Sequence, residues 1–308
     1  MNLFFIFAII ILSIIHGTVG LRIIPYLNLN YNIKIITWCC IALLAALPII
    51  PIILRSKGFE DEVVDWFSWA GYLSLGFFVL TFLAVVTKDF IYLIIGLLTK
   101  ITAAIGAPSS PTDPGRRDFI QKILSISIVT TTSVSTIAGL YAARKGATIM
   151  KTTVPIKGLD KDLSGMTIAQ VSDLHIGSTI KKGYVEEVVE QVNRLNPDII
   201  AITGDLVDGS VGYLSKHVEP IKDLHANIGK YFVTGNHEYY SGVDQWLEKT
   251  DQYGLTNLID SHEIITKGNG SITLGGVTDY RSSSIKPEHK SNPATAFYGA
   301  PENIPKIL

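Results

Sequence analysis

Asp173-Leu174-His175, Gly204-Asp205-Leu206-Val207-Asp208 and Gly235-Asn236-His237-Glu238 are the stretches that decide the fold. Each closes a short apolar run, at residues 167–171, which reads as a buried strand, 198–203 and 230–234. Their spacing is nearly even, with 32 positions from Asp173 to Asp205 and 31 from Asp205 to Asn236. Between the runs lie amphipathic stretches at 182–195, 213–224 and 243–253. In the first of these Val185, Val188, Val189 and Val192 recur at helical spacing. Strands alternating with helices predict a parallel α/β sheet, whose loops at the carboxyl ends of the strands gather on one side. Further strands are expected at 257–259 and 272–277.

The residue types in those loops suit divalent metal chemistry. In an extended segment residues i and i+2 point the same way, so Asp173 and His175 are expected to face one point while Leu174 turns into the core. A carboxylate with an imidazole suits Mn, Fe or Zn better than Ca. Asp205 can bridge two cations through its two oxygens, and Asn236 adds a neutral carbonyl ligand. Two such ions would clamp a phosphate and lower the pKa of a bridging water. His237 is expected to face the phosphate as an acid, with Asp208 fixing its tautomer. Taken singly the three motifs are weak; in order, each after a strand, they reinforce one another.

Outside this half the composition is that of a membrane protein. Hydrophobic residues make up 47% of the 308 and charged residues only 17%, with a mean hydropathy of +0.33. The excess lies in the first 145 residues. Apolar segments at 3–19, 33–54, 66–86 and 90–105 predict about four membrane helices within residues 1–107, the fourth short enough to be tilted or surface-lying. A Pro-rich linker is expected at 108–118, ending in Arg116-Arg117, and a further Ser/Thr-rich helix at 119–143. Arg116-Arg117 resembles a twin-arginine export signal placed internally, and also suits an ordinary cytoplasmic anchor. Both readings put everything beyond residue 143 outside the cytoplasm, and five crossings would put the N-terminus inside. The adjacent Cys39 and Cys40 exclude a structural disulfide framework. A net charge of −1 gives no global pull toward nucleic acid, and none is expected as a partner. The spans carry too little charge for a transporter.

The three motifs together resemble the calcineurin-like metallophosphoesterase superfamily, and residues 235–240 resemble its bacterial membrane-anchored branch. The motif-level match covers residues 166–308. The resemblance implies a multi-span helical membrane region followed by an αββα-type metallophosphatase domain over 151–308. It implies Asp173, His175 and Asp205 on one metal, Asp205 and Asn236 on part of a second, and His237 as the catalytic histidine. The expected reaction is hydrolysis of phosphate mono- or diesters, with lipid-linked substrates at the bilayer in view. The family pattern continues with a metal-binding His on a later strand and then a Gly-His-x-His pair, and neither is present. His262, in a hairpin turn expected at residues 260–263, and His289, in a solvated polar loop, are read as surface residues. Residues 303–308 read like the opening of another strand, so the domain is expected to be incomplete at its C-terminus, with reduced or no turnover. The alternative is a noncatalytic membrane protein whose degenerate phosphoesterase-like domain serves interactions.

Overall fold

The computed structural model describes residues 3–105 and 113–308 and divides into two units, Met1–Lys145 and Gly146–Leu308. The first unit is a helical bundle. It comprises α1 (Leu3–Ile23), α2 (Tyr31–Ala46), the short α3 (Ile50–Ser56), α4 (Glu62–Ala104) and α5 (Pro114–Ala143). Pro48 lies between α2 and α3 and Pro51 in the first turn of α3, and Gly71 of α4 packs against this break. A Cβ at Gly71 would stand 2.9 Å from the Leu47 carbonyl oxygen.

Five expected membrane segments become four long apolar stretches, because the third and fourth fuse into the 43-residue α4. Lys88 and Asp89 fall in the gap between the segments expected at 66–86 and 90–105, yet they do not interrupt the helix. Asp89 pairs with Arg22 of α1 at 2.9 Å, and Lys88 reaches Gln121 of α5 at 3.5 Å. Each charge thus has a partner on a neighbouring helix, so the backbone has no reason to break. At about 1.5 Å per residue α4 is ~65 Å long, about twice the hydrocarbon thickness. α1 runs parallel to it, with His16 stacked on Phe78. α5 runs antiparallel, with Thr132 donating back to Ile128 and meeting Thr81 at 3.0 Å. Residues 108–112 of the expected linker lie outside the described residues. Arg116 and Arg117 stand in the first turn of α5, which begins at Pro114 with Asp113 as its cap. Cys39 and Cys40 are free and exposed on α2.

In the second unit, β1 (Ile168–Val171), β2 (Ile199–Thr203), β3 (Gly229–Val233) and β4 (Thr256–Asn257) form a parallel sheet in that order. α6 (Lys182–Arg194), α7 (Val211–Val218) and α9 (Val243–Gln252) cover one face, and the short α8 (Asn236–Ser241) follows β3 directly. Alternation along the strands assigns their side chains. Ile200, Ile202 and Phe232 join the helix-side core with Val185, Val189 and Trp246. Ile199 and Tyr231 turn to the other face, against Ile265, Ile272 and Leu274. Those last residues belong to the antiparallel pair β5 (Ser261–Lys267) and β6 (Gly270–Gly276), to which β7 (Lys306–Ile307) adds in parallel. A short helix α10 (Pro293–Ala296) lies between β6 and β7.

Three expectations change. β1 is not a buried strand: it lies at the sheet edge, with Ile168 39% exposed. The helix expected over 213–224 ends at Val218 and continues as a 3-10 turn, because Pro220 cannot extend the α-helical ladder. Of residues 260–263, expected as a turn, 261–263 open β5, and His262 Nδ1 donates to the Ala296 carbonyl at 2.7 Å.

Asp198, just before β2, ties the two sheets together. One oxygen accepts from the Thr167 amide at 2.9 Å and the other meets Lys267 Nζ of β5 at 2.8 Å. The lysine beside it, aided by the Thr167 bonds, holds its carboxyl below the usual carboxylate range against an opposing push from burial. A depressed folded-state pKa contributes stability that is present above the unfolded value and lost as pH falls through the folded one. Asp198→Asn is therefore expected to lower stability at pH 7 by about 1–3 kcal/mol. Its deficit relative to wild type should shrink below pH ~4. Urea unfolding followed by proteolysis of the second unit, at pH 7 and pH 3, checks both statements.

A candidate metal centre

Three loops follow the carboxyl ends of β1, β2 and β3, and hydrogen bonds lace them side by side. The amides of Asp173, His175 and Ile176 donate to the carbonyls of Gly204, Asp205 and Leu206, at 3.2, 2.9 and 2.9 Å. The Asp208 amide returns a bond to Ile176 at 2.8 Å. This continues the β1–β2 pairing past the strands, through an isolated bridge between Ile176 and Val207.

The Asp-x-His segment does not work as an extended strand. Asp173 and His175 have φ of 57° and 46°, in the left-handed region, so the chain zigzags rather than running straight. Leu174 still turns inward and is buried, as expected. The reason for the zigzag is the lacing: three amides must each meet a carbonyl of a neighbour that is itself turning. Asp205 is left-handed too, with φ of 51°.

The second and third loops approach closely. A Cβ at Gly235 would lie 2.1 Å from Asp205 Oδ1, and one at Gly204 would lie 2.4 Å from the Gly235 nitrogen. The His237 amide donates to Asp205 Oδ1 at 3.0 Å. His237 and Asn236 occupy the first turn of α8, so both are delivered where a helix begins.

These contacts bring the side chains together. His175, Asp205 and His237 each offer a donor atom, and the three lie within 4.8 Å of one another. His175 Nε2 stands 3.8 Å from Asp173 Oδ1 and 3.9 Å from Asp205 Oδ2. Those gaps exceed a hydrogen bond and match donors arranged around one cation at about 2.0–2.2 Å from each. Asp208 Oδ1 meets both imidazoles through Nδ1, at 2.5 Å from His237 and 3.1 Å from His175. It thereby leaves each Nε2 for other chemistry and sets the rings edge to face, with centroids 4.5 Å apart. The donor set of imidazole and carboxylate fits a borderline divalent ion. Asn236 is half-buried at the start of α8, beside this cluster in sequence.

Burial pulls the His175 pKa down, but the hydrogen bond and charge of Asp208, with Asp205 and Asp173, outweigh it and the net shift is upward. Three carboxylates around one imidazole make a cation, whether proton or metal, the favoured occupant.

Sequence reading passed over Glu238. It is 1% exposed, and its carboxylate accepts from the amides of Asp205, Leu206, Val207 and Gly235, at 3.0, 2.7, 3.3 and 2.7 Å. Burial raises its pKa against the lowering effect of those amides. The available signal was the Gly-x-x-Glu spacing, in which a Glu three residues into a helix reaches back to the residue before it. His289, read as a solvated surface residue, instead holds the Tyr239 hydroxyl at 2.9 Å. Two concavities elsewhere in the second unit, of about 500 and 590 Å³, are lined by other residues.

The close approach of the loops has a direct consequence. Gly235→Ala is expected to push Asp205 aside, destabilise the chain by about 1–3 kcal/mol and weaken Mn²⁺ binding. Gly212→Ala, with only the Ser210 hydroxyl within 4 Å of the new Cβ, is expected to leave binding unchanged. Isothermal titration of both variants with Mn²⁺ tests the contrast.

Comparison with known proteins agrees with this geometry. The calcineurin-like phosphoesterase family model matches residues 166–296. A zebrafish transmembrane protein with metallophosphoesterase domain is 28% identical over 254 residues, covering 80% of this chain and 56% of the relative. An uncharacterized metallophosphoesterase of Campylobacter jejuni is 26% identical over 285 residues, covering 90% of this chain and 70% of the relative. UDP-2,3-diacylglucosamine pyrophosphatase of Chlamydia trachomatis is 25% identical over 147 residues, covering 46% of this chain and 43% of the relative. The chain thus spans just over half the length of the zebrafish protein. Residues 166–296, which carry all three loops of the site, are thus similar to the calcineurin-like phosphoesterases.

Proposed function

We propose that this is a membrane-anchored metal-dependent phosphoesterase whose second unit works outside the cytoplasm, on phosphate mono- or diesters presented at the bilayer. The convergence of His175, Asp205 and His237 from three different loops carries the reading. In it, Asp173, His175 and Asp205 hold one divalent cation, and Asp205 with Asn236 begins a second site. A bound cation supplies Lewis acidity and a hydroxide near neutral pH. The protein's own residues supply the rest. His237, with Nδ1 fixed on Asp208, presents Nε2 to the ester as the acid for the leaving alkoxide. Asp208, facing Nδ1 of both rings, leaves His175 Nε2 free to ligate and fixes the direction of His237 Nε2. Among the described residues Asp205 and Asn236 are the groups placed for the second cation, so in this chain we expect one firm site and one weak site.

Lipid-linked phosphates are the substrate class we favour. The bundle tethers the site to the bilayer, and one relative is named for hydrolysing a diacylated sugar nucleotide. The side of the membrane follows from charge. Arg22, Lys34, Lys88, Lys100, Arg116, Arg117 and Lys122 cluster toward one end of the bundle, and Arg55, Lys57, Arg144 and Lys145 toward the other. By the positive-inside rule the first end is cytoplasmic. Four crossings instead of five then set the N-terminus outside, on the same side as residue 146. Single cysteines placed at Asn28 and at Gly58, in a chain lacking Cys39 and Cys40, test this. Membrane-impermeant maleimide should label position 58 and spare position 28 in intact cells; the reverse pattern overturns the orientation.

The chemistry is tested by titrating Mn²⁺ into the detergent-solubilised chain. One site is expected to dominate and to be lost in His175→Ala and Asp205→Asn. Hydrolysis of bis(p-nitrophenyl) phosphate should require Mn²⁺ and fall roughly 10²-fold or more in His237→Ala. Binding that ignores both ligand variants would leave the interaction-module alternative standing.

A further inference from the structure

The chain places a fourth acid within this site that has no ligand role. Glu238 is 1% exposed and points away from solvent, into the backbone between the second and third loops. Three of its four donors are consecutive amides, Asp205, Leu206 and Val207, turned inward by the left-handed Asp205. Successive amides in such a turn form a concave anion-binding nest of the kind that elsewhere cradles a phosphate. Here the anion is a side chain of the protein. The fourth donor, Gly235, belongs to the loop that delivers Asn236 and His237.

One carboxylate therefore fixes two loops at once. It holds the backbone of Asp205 in its left-handed turn, from which the side chain reaches both His175 Nε2 and the His237 amide. It also holds the start of α8 against that turn. Asp208, which joins the two histidines, lies one residue beyond the last amide of the nest. Other contacts reach the same loop further along: Ser241 Oγ takes the Gly209 amide at 3.1 Å and Trp246 Nε1 donates to the Gly209 carbonyl at 3.0 Å. The carbonyls of Asp205 and Leu206 accept from the His175 and Ile176 amides and that of Val207 from Ser241, whereas Glu238 takes the amides of all three residues.

We propose that Glu238 is a positioning residue of the metal centre: by filling the amide nest of residues 205–207 and capping Gly235, it sets the direction of Asp205 and the distance between Asp205 and His237. It acts through backbone and touches neither metal nor substrate. The proposal rests on the metal-centre reading above, and the experiment separates the two.

Glu238→Gln keeps the shape but turns an amide donor toward backbone donors. Mn²⁺ affinity is expected to fall roughly 10- to 100-fold, the usual range for an outer-shell partner of a ligand. In the metal-free chain, hydrogen exchange at residues 205–207 should rise about tenfold or more while the helices of the second unit keep their protection. Glu238→Asp, one methylene shorter with its charge kept, should recover part of both losses, and it stands in if the Gln variant does not fold. Tyr239→Phe, next to it and equally buried, loses bonds to Thr234 and His289 and should leave affinity and loop exchange unchanged. If wild type itself binds no Mn²⁺, the metal-centre reading fails. If wild type binds and Glu238→Gln binds within twofold, or Tyr239→Phe loses as much, the positioning role of Glu238 is wrong.

Discussion

The geometry of the second unit depends on how its strand-end loops satisfy their backbone amides. A loop that must present a carboxylate and an imidazole to one point cannot run as regular strand, and its N–H groups then need partners elsewhere. The first loop finds them on the carbonyls of the second, and the second finds them on the buried carboxylate of Glu238. The left-handed residues Asp173, His175 and Asp205 stand where this exchange forces the chain to turn. Non-glycine residues in that region carry strain, and short polar side chains bear it more readily than branched ones. The same three positions supply chemistry because their side chains are turned out of the sheet by the conformation that strains them.

Close packing of backbone follows from the same constraint. Gly204 and Gly235 let two loops touch where any side chain would collide with Asp205 or with the neighbouring peptide. The glycines before Asp205 and Asn236 are thus part of the site's shape, although neither offers a donor to a metal. The helix-side core beneath, from Val185 to Trp246, gives these loops a rigid floor, and Asp198 pins the opposite end of the sheet to β5.

Much of this was legible in sequence. The β–α alternation, the helical spacing of the valines in α6 and the three loop motifs follow from local periodicity, and periodicity survives into the fold. The Asp208–His237 contact at 2.5 Å also follows from reasoning about which group could hold an imidazole. What escaped involved partners distant in the chain. Lys88 and Asp89 fall in the gap between two expected segments, but Arg22 and Gln121, 67 and 33 positions away from Asp89 and Lys88, let one helix continue. β5 read as a turn around His262 because its pairing with β6 and its contact with Ala296 lie outside any local window. β1 read as buried because an apolar strand carries no mark of whether it has one neighbour or two.

The sequence by itself determined the class of the protein, its two-part layout and the residue types at its candidate metal centre, because apolar period and motif order are properties of neighbouring residues. Only the tertiary structure decided that Asp173 and His175 are presented by left-handed turns, that one oxygen of Asp208 holds two imidazoles, and that Glu238 binds four amides from two loops. These depend on hydrogen bonds between segments about thirty residues apart. Such bonds form only once parallel pairing has brought the loop ends side by side.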